Sequence, residues 1–179
     1  NPVPERERTY ANVPPYQSSQ AMIATDKEAT GYNFSINYPA TTKKPAATIG
    51  DYRQDIIKNL YTSMLNSRFR ELTQKENPPF LYAGAGFGIY ARGYESFNVQ
   101  TGTGTNDIRK GADAMLEEIE RVKRYGFTAA ELDRAKKNTL SSYEKMWNNR
   151  DKEESENYAN EYIDLFTNGS PSPGIDKEY

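Results

Sequence analysis

Between residues 32 and 38 apolar and polar side chains alternate one for one. Tyr32, Phe34, Ile36 and Tyr38 stand against Asn33, Ser35 and Asn37. A period of two predicts a strand with one buried face. Beyond residue 48 the period lengthens. Tyr52, Ile56, Leu60, Met64, Leu65, Phe69 and Leu72 recur at three- and four-residue spacing, which predicts an amphipathic helix over about 49–75. Thr48 and Asp51 form a capping box at its start, and Asn77-Pro78-Pro79 stops it. Phe80 to Ala91 and Tyr94 to Thr101 read as two adjacent antiparallel strands, with Arg92-Gly93 between them and Phe97 and Val99 on one face. Gly102 to Asn106 is turn chemistry that ends on a helix N-cap.

Three helices are expected after that turn. Ile108, Ala112, Met115, Leu116, Ile119 and Val122 form the stripe of one over about 106–125, closed by Gly126. Thr128 and Glu131 are a second capping box, opening a helix that reaches Asn149. Ser155 caps the last, with Ala159, Tyr162, Ile163 and Phe166 on its apolar face and Asn168-Gly169 at its end. Residues 19–25 are expected to add a short strand before the alternating one. Helices grouped against a mainly antiparallel sheet make an α+β layer fold, with the helices covering one side. Pro2, Pro4, Pro14 and Pro15 block regular hydrogen bonding, so residues 1–16 read as an extended linker and 17–179 as a single domain.

Composition narrows the chemistry. The chain of 179 residues holds 14 tyrosines, 7 phenylalanines and one tryptophan, enough aromatic bulk for a core. It has no His and no Cys. That excludes an imidazole base, a Ser-His-Asp triad, thiol nucleophiles, disulfides and zinc bound by imidazole or thiolate. Lysine, tyrosine or carboxylate catalysis and a carboxylate-only Mg²⁺ or Ca²⁺ site survive that filter. With 23 basic and 25 acidic residues the net charge is 23 − 25 = −2, which argues against a nucleic-acid partner. No apolar run approaches the ~18 residues of a membrane span. The start at Asn1 reads as a piece of a longer chain.

Four local features invite a functional reading. Gly84, Gly86 and Gly88 superficially match a phosphate loop, but strand and not helix follows them, so that reading fails. Such glycines fit either close packing of the sheet against a helix or an exposed edge to which a peptide adds as a further strand. Glu117, Glu118 and Glu120 lie among Arg121, Lys123 and Arg124 on one helix and read as a solvated face. Arg68 and Arg70 suit the end of their helix electrostatically. Trp147 reads as core or interdomain packing.

Several blocks together resemble the pitrilysin/insulinase family of zinc metallopeptidases. They are Tyr38 after the Asp26-Lys27-Glu28 turn, Leu65-Asn66-Ser67-Arg68-Phe69-Arg70-Glu71-Leu72, Asn77-Pro78-Pro79-Phe80, and the long stretch from Glu118 to Lys136. In that last stretch a helix ends through Glu118, Arg121 and Gly126-Phe127-Thr128 and restarts at Glu131-Leu132 with Ala135-Lys136. It resembles the family's second, peptidase-inactive type of domain. The opening Asn1 to Glu7 is similar to the link between the first and second domains of bacterial members.

The resemblance implies an antiparallel sheet covered on one side by helices, in a domain that forms part of a chamber wall and helps hold peptide substrate. It implies zinc in the first domain of the parent, on an inverted His-x-x-Glu-His helix, and no cofactor in this piece, which lacks the histidines. No catalytic or metal-binding residue carries over. The parent is implied to be a zinc metalloendopeptidase, with the catalytic domain of the same chain and peptide substrate as partners and the periplasm or cell envelope as location. A peptide-binding strand edge carries over to Tyr82, Ala83, Gly84, Ala85 and Gly86. The alternative role is a structural or scaffold subunit related to inactive homologues.

Overall fold

The computed structural model describes residues 12, 14, 18–43, 46–104 and 107–179. The linker expected over 1–16 lies, apart from residues 12 and 14, outside them, as does the end of the expected turn at Thr105-Asn106. In chain order the elements are β1 (Tyr32–Asn37), β2 (Thr41–Thr42), α1 (Ile49–Thr73), β3 (Tyr82–Ala91), β4 (Tyr94–Gly104), α2 (Ile108–Tyr125), α3 (Ala129–Asn149), α4 (Ser155–Asn168) and α5 (Ile175–Glu178). The architecture is the expected α+β, with every strand pairing antiparallel.

β4 is the central strand. β3 pairs along nearly all of one side, from Tyr82↔Gly102 to Ala91↔Tyr94. β1 and β2 therefore lie end to end along the other side, β1 opposite residues 98–104 and β2 opposite Glu95 and Tyr94. The turn between β3 and β4 needs Gly93, whose φ of 79° is a left-handed conformation.

One face of the sheet carries the core. Leu65 and Phe69 of α1, Phe80, Val99 of β4, and Met115 and Val122 of α2 form a buried cluster, flanked by Phe34, Ile36, Ala83, Ala85 and Phe97. Phe69 and Phe80 meet edge to face at 6.3 Å. By the two-residue alternation of strands, the opposite face carries Asn33, Ser35 and Asn37 of β1, Ser96, Asn98 and Gln100 of β4, and Gly84, Gly86 and Gly88 of β3. Asn98 donates to the Asn37 side chain at 2.7 Å across it. The alternating pattern at 32–38 is thus explained at its centre, where Phe34 and Ile36 pack on the core, while Tyr32, beyond a register shift, and Tyr38 remain exposed.

Both capping boxes form, Thr48 with Asp51 and Thr128 with Glu131. Four expectations are corrected. Residues 19–25 form no strand, because the stretch buries nothing: Met22 and Ile23 are 91% and 89% exposed. Gly102 to Gly104 extend β4 instead of turning, since Thr101 and Thr103 are fully buried under the helices. The cap of α2 is then Asp107, whose carboxylate accepts from the Arg109 N–H at 2.9 Å. Ser155 is the first residue of α4, not its cap.

Close packing is concentrated where α2 crosses β4. A Cβ at Gly111 would sit 2.4 Å from Thr103 Cγ2 and 3.3 Å from the Pro79 carbonyl oxygen. Gly111→Ala should therefore destabilise the chain by ~1–2 kcal/mol, because overpacking outweighs alanine's helix advantage of about 1 kcal/mol. Urea unfolding checks this, and a midpoint at or above that of the parent chain would contradict the tight crossing.

The far end of α3 is not core. Trp147 stacks on Tyr179 at 5.9 Å, donates from Nε1 to Asp176 at 2.9 Å and lies beneath the Arg150 guanidinium at 4.3 Å. It fastens α5 back onto α3, and Tyr52 of α1 meets Tyr143 of α3 at 3.1 Å.

Candidate functional site at the outer edge of the third strand

The expected site residues 82–86 all lie on β3, which forms one border of the sheet. Their main-chain groups do not all face the same way. Tyr38 N–H donates to the Phe97 carbonyl at 2.9 Å, so Phe97 directs its backbone towards β1. In an antiparallel ladder a residue exchanges both of its groups on one side, and successive residues alternate. Residues 97, 99 and 101 therefore serve β1, while 96, 98 and 100 serve β3. On β3 the even positions Tyr82, Gly84 and Gly86 point inward to β4. Ala83 and Ala85 point outward, and the same alternation adds Phe87 and Ile89 to the outer edge. The sequence pattern does not distinguish these two sets, because the partner side of a strand is a tertiary fact.

The side chains sort equally sharply. Ala83 and Ala85 face the core under α1. Phe87 lies 4.9 Å from Phe97, with the Lys58 ammonium 5.3 Å from its centroid. Lys58 also reaches Glu95, which is buried in the sheet. Gly84, Gly86 and Gly88 lie on the opposite, polar face, where an added Cβ would meet nothing within 4 Å. Packing against a helix is thus not the reason for these glycines, and that expectation is corrected. They leave the polar face flat beside the edge. Tyr82 bounds the strip at its start: its ring covers Gly102, and its hydroxyl donates to Asn33 at 2.6 Å.

One element sequence reasoning missed is Asn66 of α1. Its Nδ2 donates to the Ala85 carbonyl at 2.9 Å, and its Oδ1 accepts from the Ala85 N–H at 2.7 Å. Both outward groups of Ala85 are thereby satisfied by one side chain. The two bonds also assign the amide's orientation, since the reverse flip would oppose donor to donor and acceptor to acceptor. Nothing in the local pattern marks Asn66, which sits within the helix between the core residues Leu65 and Phe69.

The acidic helix departs from its expected reading. Glu118 is buried, not solvated. Arg68 Nη1 donates to Glu118 at 3.0 Å, its Nε and Nη2 grip Glu131 at 2.5 and 2.9 Å, and Nη2 also reaches the Gly126 carbonyl at 3.2 Å. The guanidinium lies 5.0 Å from the Phe127 centroid. Arg68 therefore ties α1 to both α2 and α3, a role beyond the helix-end electrostatics expected of it. Its N–H groups hold the Glu131 carboxyl down at about 2, burial opposes them, and the Thr128 backbone and hydroxyl add to the lowering. Glu120, by contrast, is an exposed partner of Arg124 and Lys123.

These residues do not fit zinc. The metal takes imidazole, thiolate and carboxylate ligands, and the chain offers neither of the first two. Among the described residues no three carboxylates converge either. The cavity between α1 and α3, lined by Ser63, Ser67, Glu131 and Asn138, is about 30 Å³, room for one water and not a substrate. No helix among the described residues is long and apolar enough to cross a membrane.

Known proteins share this fold and, more distantly, this sequence. The chain is 23% identical over 168 residues to a zinc protease PQQL-like protein of Arabidopsis thaliana, across 93% of this chain and 14% of that protein. Its fold is similar to that of the periplasmic protease PqqL from Escherichia coli, with a TM-score of 0.79 at 17% identity, covering 86% of this chain and 17% of that one. A predicted insulinase family protease from Yersinia pestis matches with a TM-score of 0.71 at 12% identity, covering 85% of this chain and 32% of that one. The chain thus spans a small part of the length of these proteins. The family pattern described as the peptidase M16 inactive domain matches residues 2–139, from the segment before β1 to the middle of α3. With most of its length matched, the chain belongs to the inactive-domain family of the pitrilysin and insulinase peptidases.

Proposed function

We propose that this chain is the part of a zinc peptidase that lines the substrate chamber and holds an extended peptide along the outer edge of β3. The observation that carries the reading is a ten-residue border strand with no further strand on its outer side among the described residues. An extended peptide supplies the missing ladder through main-chain bonds, which tolerate many sequences. The glycine strip leaves room on the polar face for its side chains. Zinc and the hydrolytic step belong to a neighbouring domain of the parent, and the catalytic domain and the peptide are the partners. The periplasm is the proposed location, supported by the description of PqqL.

The test follows from the alternation. Gly84→Pro is a poor probe, because it removes an inward donor that holds β3 to β4. Ala83→Pro removes an outward donor and leaves the ladder to β4 intact, as proline allows on an edge. It should weaken retention of a fluorescent extended peptide about tenfold, the equivalent of ~1.4 kcal/mol, with the circular dichroism of the chain unchanged. Equal retention by a folded Ala83→Pro chain would remove the edge from the reading and favour a scaffold role. Zinc-dependent, chelator-sensitive cleavage by the chain alone would contradict its non-catalytic part.

A further inference from the structure

Edge strands invite unwanted pairing, and folded proteins protect them. The outer edge of β3 is protected at its middle by one side chain. We infer that the Asn66 amide is a built-in stand-in for one peptide unit, a guard that an added strand must displace before it pairs at Ala85. The inference rests on the proposed strand addition and names what regulates it.

The geometry is that of a ladder. A neighbouring strand would present one N–H to the Ala85 carbonyl and one C=O to the Ala85 N–H, which is what Nδ2 and Oδ1 provide at 2.9 and 2.7 Å. The two occupants therefore compete for the same pair of groups. Ala83 and Phe87 stand on either side with their groups on the same edge, two residues away in each direction. An incoming strand contacts these first and must then exchange with Asn66 to close a continuous ladder. The side chain is half-buried at the edge, so it has a solvent path when released. The amide lowers affinity for any extended peptide alike, because it competes with backbone and not with side chains. It selects for segments long enough to pair on both sides of Ala85.

The test uses the 179-residue chain with a soluble peptide of alternating threonine and valine ended by lysines. In the unsubstituted chain, NMR titration should shift the backbone amides of Ala83 and Phe87. At the same peptide concentrations the Asn66 side-chain NH₂ signals should move to positions of a solvated amide. Asn66→Leu, which keeps the volume and removes the competitor, should bind the peptide about tenfold more tightly, equivalent to ~1.4 kcal/mol. Asn66→Ser provides the same release should leucine disturb the seating of α1 on β3. A merely structural amide predicts the reverse, with weaker or equal binding in both variants. Shifts at Ala83 and Phe87 with an unmoved Asn66 signal would overturn the guard and leave strand addition standing. No binding by the chain or by either variant would overturn strand addition itself, and the guard with it. Binding by the variants alone would support both.

Discussion

Replacing Arg68 by methionine should lower the unfolding free energy by ~3 kcal/mol, the lower end of the cost of orphaning a buried charge. Three elements depend on this guanidinium. It reaches Glu118 of α2, Glu131 of α3 and the carbonyl of Gly126 between them. Methionine keeps the hydrophobic stem but takes the guanidinium from two carboxylates, leaving buried Glu118 with Arg121 at 3.6 Å and Glu131 with its capping bonds from Thr128. Arg68→Lys should recover only part of the loss, since one ammonium cannot reproduce the planar fork that grips Glu131 through two nitrogens. The pH dependence separates this mechanism from simple loss of packing. Glu131 has its carboxyl lowered from 4.5 to about 2 in the folded chain. A depressed folded value contributes stability above the unfolded value and loses it as pH falls through the folded one. The parent chain should therefore lose stability steeply from about pH 4.5 towards pH 2. In Arg68→Met that slope should flatten, because the main cause of the lowering is gone. Urea midpoints taken across this range decide it. Parallel curves for the two chains would show that the ion pair contributes nothing of its own.

The Arg68 network also shows where sequence reading stops. Thr128 and Glu131 are legible as a capping box, because the contact spans three residues and depends only on helix geometry. The same holds for Thr48 with Asp51 and for Gly126, whose φ of 68° closes α2. The second task of Glu131, receiving Arg68 from 63 residues away, has no local signature. Glu118 looks like its exposed neighbours Glu117 and Glu120 until α1 is laid beside it. The edge follows the same rule. That the stretch 80–91 holds a strand, which spans Tyr82–Ala91, is written in the chain, and the resemblance to the pitrilysin group pointed to 82–86. Which of those residues face outward depends on the side that β4 occupies, and Asn66 becomes part of the edge only because α1 crosses it. The glycines misled for a related reason. Their spacing reports that one face of β3 lacks side chains, but not which face the helices cover.

Phe69→Ala should be the most damaging single truncation, at ~3–5 kcal/mol, whereas Phe166→Ala should stay within ~0.5 kcal/mol. Both are phenylalanines on apolar helical stripes, and sequence periodicity treats them alike. Phe69 is 0% exposed, edge-on to Phe80, in the cluster that joins α1 to Val99 and Met115. Truncation there removes the ring's burial and leaves a cavity that two helices and a sheet cannot close. At 2–4 °C for each kcal/mol in a chain of this size, the melting temperature should fall by roughly 10 °C. Phe166 is 84% exposed on α4, beside exposed Tyr162 and Ile163. Its ring lies outside the packed cluster, so its removal costs the folded chain almost nothing. Thermal unfolding of the two variants measures the contrast directly. Comparable losses would mean that α4 is packed into the domain core. The expected asymmetry instead makes the sheet, α1 and α2 the cooperative unit on which the β3 edge is mounted.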